Sequence, residues 1–149
     1  MDITHGLVNR MSKDFGLCKA KNKYGKWVLG YIIWLNDEPF IVSEIKNRTK
    51  EFMLNTIQVD TICRYAGIVD YNGEKVFEGD IFAIPDEDEI NREFRYQIMY
   101  DEEDLVWMAS DIFGHESINL GEFRPSELDI RGNIFDNPEL FEKGGKEDE

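Results

Sequence analysis

Asp70-Tyr71-Asn72-Gly73-Glu74-Lys75-Val76-Phe77-Glu78-Gly79-Asp80 is the stretch that decides the fold of this chain. Asn-Gly stands between two runs that carry apolar residues, and both residues tolerate the positive φ that a type I′ turn requires at its two central positions. The stretch therefore predicts a hairpin, entered by the alternating strand Tyr65 to Val69 and left through Lys75-Val76-Phe77. Gly79 permits a sharp change of direction before Ile81, Phe82 and Ile84 form the next strand. Asp80 beside it reads as a turn anchor whose carboxylate accepts backbone N–H groups, in preference to a catalytic acid.

Upstream, Phe15 to Lys21 and Lys26 to Leu35 read as two strands joined through Asn22-Lys23-Tyr24-Gly25. In the second strand Trp27, Leu29, Tyr31 and Ile33 alternate with Val28, Ile32 and Trp34, so both faces are apolar. That pattern predicts a central strand with its tryptophans in the core. Asn36-Asp37-Glu38-Pro39 is expected to turn the chain, Pro39 to end the pairing, and Phe40 to Val42 to resume as a short strand. Ser43 to Asn55 is polar and weakly patterned, which predicts an exposed loop, and Asp60 is placed to cap a helical turn. Residues 1–14 contain Leu7, Val8 and Met11 without a strong cap and read as an extended arm or short helix.

Downstream, Pro85 to Glu89 is an acidic turn, Phe94 to Tyr100 a strand, Asp101 to Asp104 a second acidic turn, and Leu105 to Ala109 an antiparallel return. The two turns bracket one strand and would put negative charge on both rims of a sheet. Ser110 to Phe123 is a long connection, Pro125 to Leu128 a helical turn, and Ile130 to Ile134 a last strand. Asn137-Pro138-Glu139-Leu140 reads as N-cap, N1 proline, first-turn acid and an apolar residue folding back. Residues 142–149 form a charged tail with the composition of a disordered acidic terminus. With 149 residues, 42% of them hydrophobic and 13% aromatic, there is enough apolar material for one core and little for two. One mainly β domain over residues 15–141 is expected.

Charge narrows the partners. Residues 1–79 carry 11 Lys and Arg against 10 Asp and Glu, whereas residues 80–149 carry 6 against 21. The second half repels phosphate backbones and favours basic protein surfaces. Asp86, Glu87, Asp88 and Glu89 on one turn, with Asp101, Glu102, Glu103 and Asp104 on the other, are the candidate binding residues. Solubility alone is the competing explanation for so much acid. The one region with a nucleic-acid signature is the first hairpin, where Lys19, Lys21, Lys23 and Lys26 interleave with Tyr24, Trp27, Tyr31 and Trp34, as in stacking platforms for single strands.

Signals for chemistry are weak. Cys18 and Cys63 have no CxxC or His spacing and read as two inert thiols, without disulfide or zinc. Asp111, His115 and Ser117 could suggest a triad, but no nucleophile-elbow glycines surround Ser117, and His5 lies alone in the arm. Neither acidic turn has EF-hand spacing, and consecutive acids on a turn diverge, so no metal is expected. No phosphate loop, dinucleotide fingerprint or HExxH occurs. No run is apolar enough for a signal peptide or membrane helix, which predicts a cytoplasmic, non-membrane protein.

Several blocks, in order, resemble the YopX family of bacteriophage and prophage proteins. They are Gly25-Lys26-Trp27 with Gly30-Tyr31; Asp60-Thr61 leading to Tyr65-Ala66-Gly67-Ile68-Val69-Asp70; Asn72-Gly73-Glu74-Lys75-Val76-Phe77-Glu78-Gly79-Asp80-Ile81; and Gly132-Asn133-Ile134-Phe135-Asp136-Asn137-Pro138-Glu139-Leu140. Ala66, where the family more often has Thr, and Arg131 before Gly132 are departures that disturb no turn. The resemblance implies a small SH3-like β-barrel built from hairpins, expressed in a bacterial host cell, and it implies no reaction, catalytic residue or cofactor. The expectation is a non-enzymatic accessory protein that binds a host or phage protein with a basic surface. A weak single-strand binder using residues 19–34 is the alternative, and homo-oligomers through edge strands are a further possibility of such barrels.

Overall fold

The computed structural model describes residues 16–44, 52–114 and 116–141. The expected arm and tail, His5 and His115 lie outside them. The chain is mainly β and divides into two compact units, Met1–Gly67 and Ile68–Glu149.

The first unit contains β1 (Cys18–Lys21), β2 (Trp27–Leu35), β3 (Glu38–Glu44), β4 (Phe52–Thr56) and most of β5 (Cys63–Val69), in the antiparallel order β4-β3-β2-β1-β5. β2 is central, as its two apolar faces predict. In the β1–β2 turn the Asn22 side-chain oxygen accepts the N–H groups of Tyr24 and Lys26 at 2.9 and 3.0 Å, and Gly25 takes a φ of 78°. The two-residue turn with both central φ angles positive lies between β2 and β3, at Asn36 (51°) and Asp37 (64°). Pro39 does not end the pairing there. It sits inside β3 opposite Trp34.

The expected loop Ser43 to Asn55 contains a strand instead: β4 pairs with β3 from Phe40↔Thr56 to Glu44↔Phe52. Asn55, which argued for a loop, is absorbed by the sheet, its amide donating to the Ile41 carbonyl at 3.2 Å and to Ser43 Oγ at 2.9 Å. Asp60 lies within a 3-10 turn, Val59–Thr61, and does not cap it. Thr61 fastens that turn to β1 by donating to the Gln58 carbonyl at 2.6 Å and accepting the Lys21 N–H at 2.8 Å. The buried side of this sheet is narrow: Cys18, Ala20, Gly30 and Ile41. A Cβ on Gly30 would collide with the Val42 carbonyl oxygen, so this close strand approach needs glycine. Cys18 and Cys63 are free, buried thiols.

In the second unit the decisive stretch forms its hairpin, but not with the expected turn. The Asp70 N–H donates to the Glu74 carbonyl at 2.8 Å and the Gly73 N–H to the Asp70 carbonyl at 3.0 Å, while only Gly73 has a positive φ, 80°. The cause is the Asp70 carboxylate, buried and accepting the N–H groups of Asn72 and Glu74 at 2.9 Å each. That arrangement holds Asn72 out of the left-handed region and leaves a three-residue turn closed by glycine. After β6 (Lys75–Phe77), Gly79 takes a φ of 90° and Asp80 accepts the Phe77 N–H at 2.8 Å, the anchoring role foreseen for it.

β7 (Asp80–Pro85), β8 (Glu93–Asp101), β9 (Val106–Asp111), β10 (Ser117–Asn119) and β11 (Ile130–Asn133) make the second antiparallel sheet, in the order β10-β9-β8-β7-β11. The expected long connection from Ser110 is therefore mostly ordered, with β10 folding back on β9 before a 3-10 turn, Leu120–Glu122. The core holds Val76, Phe77, Ile81, Phe82, Tyr96, Ile98, Leu120 and Leu128. Phe82 stacks on Tyr96 with ring centroids 5.4 Å apart and meets Phe123 edge-on at 5.1 Å. β11 is bulged between Ile130 and Gly132, beside Asn137. Asn137 takes the expected N-cap position before the 3-10 turn Pro138–Phe141, its carbonyl accepting the Leu140 N–H at 3.0 Å, while its side-chain oxygen accepts the Asn133 N–H at 3.1 Å. The described pairing gives two antiparallel sheets and no closed barrel. No described helix is long and apolar enough to cross a membrane.

Candidate functional site

The two acidic turns stand at opposite ends of β8, whose nine residues span about 30 Å at strand rise. They are separate surfaces. In the first, Asp86 Oδ1 accepts the Asp88 N–H at 2.9 Å, and Arg92 lies 2.9 Å from Glu89 and 3.6 Å from Asp86. Sequence reading missed Arg92, whose role appears only when the turn closes Asp86 N–H onto the Arg92 carbonyl at 2.9 Å. In the second, Asp101 Oδ1 accepts the N–H groups of Glu103 and Asp104 at 3.0 and 3.2 Å. Asp86 and Asp101 are thus spent on holding their turns, while Glu87, Asp88, Glu102, Glu103 and Asp104 are exposed. Each turn also carries an exposed aliphatic residue: Ile90 on the first and, at 72% exposure, Leu105 on the second. Leu105 has a φ of 56°, a left-handed conformation uncommon for a bulky side chain.

The basic residues of the first hairpin come together as the register dictates. Lys19 lies opposite Leu29 and Lys21 opposite Trp27. The two ammonium groups stand 4.5 and 5.3 Å from the Trp27 ring centroid, and Lys23 stands 5.2 Å from that of Tyr24. Lys26 is exposed at the turn. Trp27 is only half-buried and Trp34 is 58% exposed, so the core placement expected for both is wrong. Trp27 lies opposite Lys21 on the side of β2 away from Ala20 and Gly30, and Trp34 sits at the end of β2 next to the Asn36-Asp37 turn.

Alternation puts Trp27, Leu29, Tyr31 and Leu35 on the same side of β2 as Lys19 and Lys21 of β1. Tyr31 continues through Val42 to Leu54 on β4, and Phe52, opposite Glu44, stands two pairs further along on the same face. Leu29, Tyr31, Leu35, Phe52 and Leu54 are all exposed there. Phe52 and Leu54 escaped the sequence reading because they lie in the stretch taken for a loop. The result is one apolar sheet face with lysines along its β1 flank.

Of Asp111, His115 and Ser117, His115 lies outside the described residues. Ser117 Oγ pairs with Ser110 Oγ at 3.0 Å, and Asp111 Oδ1 accepts the Phe113 N–H at 2.9 Å. Burial first, and then the Glu116 carboxylate accepting its hydroxyl at 2.8 Å, push the Tyr96 phenol far above its ordinary range. That pairing locks Tyr96 as a neutral donor under the core. Among the described residues no three His, Cys, Asp or Glu side chains are grouped to hold a metal ion.

The sequence model of a family described as YopX protein matches residues 16–142, most of the chain. No curated protein matches it.

Proposed function

The chain belongs to the YopX family, and from that premise we propose that it is a non-enzymatic phage or prophage accessory protein that works by binding a protein with a basic surface. The observation that carries this is the display of Glu87, Asp88, Glu102, Glu103 and Asp104 on two turns whose shape is fixed by Asp86 and Asp101. Preformed turns lower the ordering cost of binding, and their charge speeds encounter with a basic partner. The SH3-like ancestry implied by the sequence blocks and a cytoplasmic location belong to the same proposal. The test compares proteins of a bacterial lysate retained by the immobilised chain and by a variant with those five acids changed to Gln or Asn. Proteins held by the native chain alone and released by salt support it; identical retention at low salt sinks it.

A second reading is favoured by the lysines at Trp27. Single-stranded nucleic acid on the β1–β2 hairpin would use Lys19, Lys21, Lys23 and Lys26 for phosphates and the neighbouring rings for bases. Its measure is low-salt binding of a labelled oligonucleotide, lost when the lysines are neutralised.

A further inference from the structure

The first unit leaves a row of apolar side chains in water; Lys19 and Lys21 stand along its β1 edge, while register places Glu38 and Glu44 of β3 on the same face. Leu29, Tyr31, Phe52 and Leu54 are each between 43% and 69% exposed and share one face of the sheet. Residues 16–36 carry four lysines and no acid, in a chain whose net charge is -14. An occupant with an exposed apolar group and acids placed to reach the β1 edge would complement Leu29, Tyr31 and Leu54 together with Lys19 and Lys21.

The second acidic turn has that composition. Leu105 projects beside Glu102, Glu103 and Asp104, and no Lys or Arg occurs between Arg95 and Arg124. Asp101 pins the turn, and Leu105 is held at a positive φ that glycine would adopt without cost. We propose that the sheet face of the first unit docks the Asp101–Leu105 turn of a second copy of this chain. The leucine packs among Leu29, Tyr31 and Leu54, and the acids face Lys19 and Lys21. The inference rests on the acidic turns being binding surfaces, as above, and adds that one basic partner is the chain itself. Such a contact joins unlike patches, so it is heterologous and closes only if two copies can exchange turns or a ring forms. Single-stranded nucleic acid fits less well, because the chain, with a net charge of -14, repels phosphate.

The test is sedimentation of three proteins: the native chain, a face variant (Lys19→Glu with Lys21→Glu) and a turn variant (Leu105→Gly with Glu103→Lys). Gly at 105 suits the left-handed backbone, so the turn variant keeps its fold. The native chain is expected to associate at low salt, about tenfold more weakly at high salt, and each variant alone to be monomeric. A mixture of the two variants is expected to form heterodimers, since each retains the surface that the other lacks. A turn variant that associates as the native chain does overturns the proposal in favour of face-on-face packing. A monomeric native chain overturns it too: if it also binds an oligonucleotide through Lys19 and Lys21 the occupant is nucleic acid, and if it still captures basic proteins the wider binding function stands without self-association. Self-association that persists while that capture fails would remove only the heterologous partner.

Discussion

Among the largest fully buried side chains of the described residues are Phe82, Ile81, Ile98, Leu128 and Val76 of the second unit, and from the first unit Ile41. Meanwhile Leu29, Tyr31, Trp34, Leu35, Phe52 and Leu54 of the first unit stand in water. Both sheets are built from similar runs of Val, Ile, Leu and aromatic residues. What differs is the residues on the buried side, Cys18, Ala20, Gly30 and Ile41 in one and Phe82, Tyr96 and Phe123 packed on one another in the other. Hydrophobic content by itself therefore does not separate a scaffold from a contact surface; the size of the residues on the buried side does.

The contrast is tested most severely at Phe82. Phe82→Ala removes the ring on which Tyr96 and Phe123 pack and is expected to cost about 3–5 kcal/mol, read by chemical denaturation and by loss of amide protection in β7 and β8. Gly30→Ala probes the close approach of β2 to β3 in the other sheet. Forcing a Cβ against the Val42 carbonyl is expected to cost about 1–3 kcal/mol, with amide protection lost first in β2 and β3.

Tyr96→Phe sharpens the comparison through pH. The folded phenol stays protonated above the pH near 10 at which an unfolded tyrosine ionises, so between those two points the unfolded chain releases a proton that the native chain keeps. The stabilisation is complete below that pH and declines as pH rises through the folded value. The native protein should lose stability more steeply in alkali than Tyr96→Phe, whose cost near neutrality is about 0.5–1.5 kcal/mol. Smallest of all, Phe52→Ser and Leu54→Ser should each change stability by no more than about 0.5 kcal/mol. A loss at either position equal to that at Phe82 would mean that this face is covered, and the comparison would collapse.

Local chemistry made much of this fold legible in the sequence. The Asn72-Gly73 hairpin, the Asp80 anchor and the acidic turns all depend on residues a few positions apart. Their finer geometry was not legible, because the Asp70 carboxylate chose the turn type and only a folded turn shows which N–H groups it reaches. β4 was hidden because Asn55 and its polar neighbours look like a loop until Ile41 and Ser43 supply their hydrogen-bond partners. The exposed face was hidden for a related reason. Which side of β2 meets water depends on register with β3 and on space at Gly30, and both are long-range facts.

Gly132 and Asn137 bind two distant-looking choices into one. A Cβ at position 132 would overlap the Asn137 side-chain amide, the same group that accepts the Asn133 N–H at 3.1 Å and donates to Glu139 at 3.1 Å. A lineage that exchanges the glycine first gains a clash, and one that exchanges the asparagine first orphans a backbone donor at the bulge. The two positions should accordingly drift as a pair, so that an aligned set of relatives keeps Gly with Asn or replaces both.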